Sequence, residues 1–164
     1  MMATAFYSSP IGLLEVQSNG TTITSIKFID EGEPAPLSIG PDLALSQCFQ
    51  QLDEYFHGTR QQFSFPIYQG GTDFQKQVWA HLLTIPFGRT VSYAEVSRQL
   101  GDIKKIRAVG TTNGKNKLAI VVPCHRVIGS NQELTGYAGG LWRKRWLLDH
   151  EAKHTPGVRQ LNLL

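Results

Sequence analysis

Near residue 70 the hydrophobic pattern of this chain changes period, and no other feature narrows the possible folds as much. Ahead of "QGGT", residues 69–72, lie short runs rich in β-branched and aromatic residues around one helical stretch; behind it the apolar positions recur at helical spacing. The glycine pair reads as a linker. An α+β fold in two parts is expected, with an amino-terminal α/β domain over 1–71 and a mainly helical domain over 72–164.

In the first part, "GLLEVQS" and "TTITSIKFI" flank Asn19-Gly20, a favoured two-residue hairpin turn. "TAFYS" adds a third strand and "QQFSFPIY" another, while "DEGEPAPLSIGP" reads as a loop. Within "DLALSQCFQQLDEYFHG", Leu45, Phe49, Leu52 and Phe56 recur at helical spacing and Gly58 stops the run. Cys48, beside that stripe, reads as a small core residue.

In the second part, Thr72 followed by Gln75 is a capping-box signature, with Phe74, Val78 and Leu82 on the buried face. "IPFGRTV" is a turn, and Ser92 with Glu95 is a second capping box opening "YAEVSRQL". Gly101 closes that helix; Asp102 caps the next, "IKKIRAVGTTN", which ends at Asn113-Gly114. Two short helices about a glycine turn form a helix-turn-helix, in the manner of a winged-helix domain. Its second helix carries Lys104, Lys105 and Arg107, and the small residues Ala108, Gly110, Thr111 and Thr112 allow close approach to a groove.

The net charge of +3 conceals an asymmetry. Residues 1–71 hold two basic side chains against seven acids, whereas residues 72–164 hold fourteen against six. A basic half that contains a helix-turn-helix points to DNA. The longest apolar stretch, Leu118 to Pro123, is far below the roughly 18 residues of a membrane span. The opening "MMATAFYSSP" lacks the basic and apolar regions of a secretory signal, and two cysteines cannot build a disulfide framework. A reducing, cytoplasmic setting is expected.

Chemistry concentrates in "IVVPCHRVIG", residues 120–129. A structural zinc site would need four ligands, and a zinc nucleobase deaminase would need a second cysteine after Pro-Cys. Cys124 has neither. A thiolate is nucleophilic, and a neighbouring His or Arg lowers the thiol pKa. Adjacent side chains point in different directions, so His125 would act on Cys124 through a water, with a carboxylate holding its other nitrogen. On motif shape alone, a structural cysteine beside a structural histidine is an equally good reading.

The wider pattern favours the nucleophile. "VVPCHRVIG" closely resembles the active-site signature of the O6-alkylguanine-DNA alkyltransferases, and "FQKQVWAHLLTIPFGRTVSYAEVSRQLG", "RAVGTTNGKN" and "TGYAGGLWRKRWLLDHE" resemble further segments of that family in the same order. The likeness is close over 72–151 and looser ahead of it; the tail "AKHTPGVRQLNLL" has no part in it. The resemblance implies an amino-terminal domain like ribonuclease H and a carboxy-terminal domain with a helix-turn-helix. It implies binding of double-stranded DNA, rotation of an alkylated guanine out of the stack, and irreversible transfer of the alkyl group from O6 to the protein's own cysteine, once per molecule. O4-alkylthymine is a further candidate substrate. It implies no metal and no organic cofactor, and a monomer, with cooperative assembly on DNA as an added option.

The same resemblance assigns roles. Cys124 matches the acceptor, His125 the water-linked base, Glu151 the carboxylate that orients it, and Asn116 the brace of the active-site turn. Tyr93 matches the tyrosine that helps turn the nucleotide out and donates towards the base, and Arg107 the side chain that fills the vacated stack. Thr111, Thr112, Asn113, Lys104, Lys105 and Arg126 are expected at the DNA. Thr135 to Gly140 match the loop that walls the alkyl pocket, whose expected lining is Pro123, Val127, Tyr137, Ala138 and Gly139. Lys117 and Ile103 stand where many members have proline, and Ala138 where some have serine. Two other readings compete. Alkyltransferase-like binders replace the cysteine, typically by tryptophan, and Cys124 argues against them. A cysteine hydrolase would leave the helix-turn-helix and the basic half unexplained.

Overall fold

The computed structural model describes residues 2–30 and 42–157; the expected loop over 30–41, apart from Asp30, and the end of the tail lie outside them. The chain divides into two compact units, one of Met1–Gln69 with Lys117–Ala119, the other of Gly70–Asn116 with Ile120–Leu164.

The first unit is built on a three-stranded antiparallel meander, β1 (Ala3–Ser9), β2 (Gly12–Ser18) and β3 (Ile23–Ile29), in that order. Alternation decides its faces: Leu14, Val16 and Ser18 of β2 are buried while Leu13, Glu15 and Gln17 are partly exposed. The β2–β3 connection is not the expected two-residue turn. It runs from Asn19 to Thr22, because the Asn19 carboxamide accepts from the backbone N–H groups of both Thr21 and Thr22. "QQFSFPIY" does not form a strand; it meets β3 only in a bridge between Ile23 and Ile67. Pro66 has no N–H to extend the ladder, though its carbonyl accepts from Ile23. A second bridge joins Ile26 to Leu118, so the edge of β3 is met by two segments remote in sequence. Helix α1 (Leu43–Phe56) is capped by Asp42, which accepts from the Leu45 N–H, and Gly58 follows it at φ +80°. Leu45, Cys48, Leu52, Tyr55 and Phe56 are its buried face. Phe49 lies at the margin of that face, edge-on to Tyr7. Burial pushes the Cys48 thiol up to about 12, as befits an inert core residue.

The second unit opens with α2 (Asp73–Leu82). Its capping box is complete: Thr72 accepts from the Gln75 N–H and the Gln75 side chain accepts from the Thr72 N–H. Val78 and Leu82 are fully buried, but Trp79 rather than Phe74 completes the buried face. Glycine is required at 71, where a Cβ would lie 2.9 Å from the Trp79 ring. Ser92 caps α3 (Tyr93–Gln99) by accepting from Glu95 N–H; the Glu95 carboxylate turns instead to Arg98 and Gln99, so only half of that box forms. Gly101, at φ +93°, ends α3, and Asp102 caps a single 3₁₀ turn, Ile103–Lys105, that leads into α4 (Ile106–Gly114). The expected second helix is thus a 3₁₀ turn followed by an α-helix, and α3 with α4 forms the helix-turn-helix. Trp79 donates from Nε1 to the Thr112 carbonyl, tying α2 to α4. A short parallel pair, β4 (Val91–Ser92) with β5 (Val127–Ile128), and α5 (Leu141–Lys153) complete the unit. No helix among the described residues is long and apolar enough to cross a membrane.

Candidate active site

The apolar run ahead of Cys124 is buried, and its backbone is bent sharply. Ile120 holds φ at 71°, a left-handed conformation that costs a β-branched residue strain. Pro123, at φ −81° and ψ 63°, is the centre of an inverse γ-turn closed by the Cys124 N–H on the Val122 carbonyl at 2.8 Å. Cys124 then opens a 3₁₀ turn, Cys124–Arg126. Two asparagines brace the bend: Asn116 donates to the Val122 carbonyl at 2.8 Å, and Asn113 to the Cys124 carbonyl at 3.3 Å.

Burial pushes the Cys124 thiol up, and a hydrogen bond from Asn116, the charge of Lys144 and a backbone donor oppose that rise. His125 is fully buried, and its Nε2 lies 2.7 Å from Glu151 Oε2. Burial holds His125 below its ordinary pKa; Glu151 opposes this, while Arg126 and Lys144 reinforce it. Burial would also raise the Glu151 pKa, but His125 and Arg126 beside it hold the carboxyl well below the usual range. Both directions favour a neutral imidazole on an ionised carboxylate. A carboxylate only accepts, so Nε2 carries the imidazole proton and Nδ1 is bare. His125 Nδ1 has no hydrogen-bond partner among the described residues, which is the state a proton acceptor needs.

Tyr93, at the start of α3, accepts from the Thr135 hydroxyl at 3.2 Å, which ties it to the loop ahead of α5. Arg107, Lys104, Lys105 and Thr111 are exposed. Thr112 and Asn113 are only 4% exposed and pack inside the unit, and Arg126 is 5% exposed. All three are expected from sequence at the DNA, and their side chains are buried within the protein. Asn113 braces the cysteine turn instead, and Arg126 is bound to Glu151 at 2.8 Å and 3.0 Å. Of the expected pocket residues, Pro123 and Val127 are buried, Tyr137 and Gly139 are partly exposed, and Ala138 is exposed. The Gly139 carbonyl accepts from Arg143 at 3.0 Å.

Sequence reasoning missed Lys144. This side chain is fully buried, and its ammonium donates to the carbonyls of Val127 and Thr135, both at 2.7 Å, so it links β5 to the loop. The signal was available: Lys144, Leu147, Leu148 and Glu151 follow helical spacing and are all buried. A basic residue in "WRKRW" reads as solvated until that stripe is noticed. No cluster of three or more His, Cys, Asp or Glu side chains suited to a metal occurs among the described residues.

Residues 73–153 match the family model of the 6-O-methylguanine DNA methyltransferase DNA-binding domain, and residues 2–69 that of the ribonuclease-like domain of the same proteins. The chain belongs to this family. It is 45% identical over 150 residues to a methylated-DNA–protein-cysteine methyltransferase of Mycobacterium tuberculosis, covering 90% of this chain and 91% of the relative. It is 54% identical over 95 residues to the constitutive enzyme of that name from Bacillus subtilis, covering 58% of each. The crystal structure of Mycobacterium tuberculosis OGT in complex with DNA superposes with a TM-score of 0.82 at 42% identity, covering 95% of each chain. The expected architecture of the alkyltransferase family, an α+β fold with a ribonuclease-like domain ahead of a DNA-binding domain, is the one these matches give.

Proposed function

We propose that this chain repairs DNA directly, moving an alkyl group from O6 of an alkylated guanine onto Sγ of Cys124, once per molecule. The observation that carries this reading is the buried His125–Glu151 pair at 2.7 Å, next in sequence to the thiol, in a chain with a helix-turn-helix. His125 accepts the thiol proton at Nδ1 through a bridging water. Sγ then attacks the alkyl carbon, the carbon–O6 bond breaks, and the electron pair stays on the base. Tyr93 donates towards the base as charge develops there. Arg107 fills the stack once the nucleotide has rotated out, since a paired base is beyond reach of the thiol. O4-alkylthymine is a second candidate adduct, and the protein works in the cytoplasm as a monomer, free to assemble cooperatively on DNA. Residues 1–71 form the ribonuclease-like domain, and residues 72–164 carry DNA binding and the acceptor.

Regenerating Cys124 would need a second nucleophile to take the alkyl carbon and expel the Cys124 thiolate, and the reaction supplies none. Incubation with a duplex containing O6-methylguanine is expected to add one methyl group to the protein, mapped to Cys124 by peptide mass analysis, with one equivalent of guanine restored. Unmodified Cys124, or repair beyond one equivalent, would overturn the reading.

A further inference from the structure

Arg126 lies next to His125 in sequence, and its side chain is buried rather than exposed. Its guanidinium takes both oxygens of Glu151, Nε on Oε1 at 2.8 Å and Nη2 on Oε2 at 3.0 Å. Its remaining arm, Nη1, donates to the Ile85 carbonyl at 2.7 Å, and the guanidinium carbon lies 5.8 Å from the centre of the Phe87 ring. Gly88, in the same turn, donates its N–H to Glu151 Oε1 at 3.2 Å. Each carboxylate oxygen thus accepts at least twice: Oε1 from Arg126 and Gly88, Oε2 from Arg126 and His125. Gly88 has φ +80°, and a Cβ there would lie 2.3 Å from the Thr155 hydroxyl, so glycine is what allows that N–H to reach the carboxylate.

We propose that Arg126 and the turn from Ile85 to Gly88 act as a clamp that fixes which nitrogen of His125 carries the proton. The proposal rests on the reading of Cys124 as alkyl acceptor and adds positioning residues to that site. A carboxylate stripped of its cation in a buried setting takes up a proton. A protonated Glu151 donates to His125 Nε2, which drives the imidazole proton to Nδ1 and removes the acceptor that the thiol needs. The charged groups that act on His125 are Glu151, Arg126 and Lys144, and of the two cations only Arg126 shares the Glu151 carboxylate with it. Arg126 therefore acts through Glu151, and no contact with a phosphate is required of it.

The test compares wild type, Arg126→Gln and Arg126→Lys. Alkyl transfer from free O6-benzylguanine is followed across pH, with nitrogen NMR of the His125 ring. In wild type one protonated nitrogen, Nε2, and one bare nitrogen, Nδ1, are expected. In Arg126→Gln the acid limb of the rate–pH profile moves up by about one pH unit or more, the size expected for loss of a contact opposite charge. The Nδ1-protonated form gains population in step. Arg126→Lys recovers part of the change, since it restores the charge without the fork. If Arg126→Gln does not fold, the partial movement of the profile in Arg126→Lys decides the matter. An unchanged profile and tautomer in folded variants overturn the clamp. Wild type that transfers nothing from either O6-benzylguanine or methylated duplex overturns the reading of the site itself, and the two failures are distinct.

Discussion

At the scale of single residues, the site is an exercise in placing buried charge. Lys144 is one of these groups: it is fully buried, and burial pushes its pKa down to about 8, with Cys124 opposing. Below that value the ammonium is charged and favours the Cys124 thiolate; above it the advantage fades. Lys144→Met is therefore expected to raise the apparent pKa of Cys124. Transfer at neutral pH should slow by about tenfold for every pH unit by which the thiol titration moves up. The deficit against wild type should narrow as pH rises. Thiolate absorbance titration, with the transfer rate measured at the same pH values, checks this; an unmoved thiol titration contradicts it. Covalent adjacency put Cys124 beside His125 as a candidate pair, and the resemblance of four ordered segments to one family favoured the reactive reading over the structural one. Arg126 was not readable in this way, because adjacency to a histidine says nothing about whether a guanidinium turns outward to a phosphate or inward to a carboxylate. That choice follows from Glu151, which is 25 residues away.

At the scale of elements, α4 divides its residues between two tasks. Arg107 and Thr111 lie on the exposed face, and Val109, Thr112 and Asn113 on the buried one. Arg107→Ala should therefore leave the cysteine turn intact and act on extrusion of the nucleotide. We expect repair of duplex DNA to slow by about tenfold or more, since extruding a base costs a few kcal/mol and about 1.4 kcal/mol is a factor of ten. Reaction with free O6-benzylguanine, which has no stack to leave, should stay near wild type. Equal slowing on both substrates would place Arg107 in the pocket or in folding instead. Local chemistry made the helix starts readable, since caps depend on residues two or three apart: Thr72, Ser92 and Asp102 all cap as expected. The misreadings arose where local options compete. The Asn19 side chain captured backbone donors and lengthened a turn, and Pro66 left a strand-like run with a single bridge.

At the scale of the whole molecule, charge is the feature with consequences for binding. Fourteen basic residues against six acids after residue 71 should make DNA affinity fall steeply with salt, with a log–log slope of roughly 0.9 for each neutralised phosphate, and with little preference for undamaged sequence. Fluorescence anisotropy with unmodified duplexes over a salt series checks this, and a flat response contradicts it. The linear sequence by itself determined the change from β-rich to helical pattern near residue 70, the helix-turn-helix and the candidate nucleophile. These depend on periodicity, caps and neighbours along the chain, which act within a few residues. Tertiary structure alone decided that Lys117–Ala119 joins the first unit, that Thr112 and Asn113 face inward, and that Lys144 is buried. It alone brought Gly88 to Glu151 across 63 residues. Such contacts form only when folding brings remote segments together and excludes water. In that dry interior, the groups around each side chain decide whether it is charged.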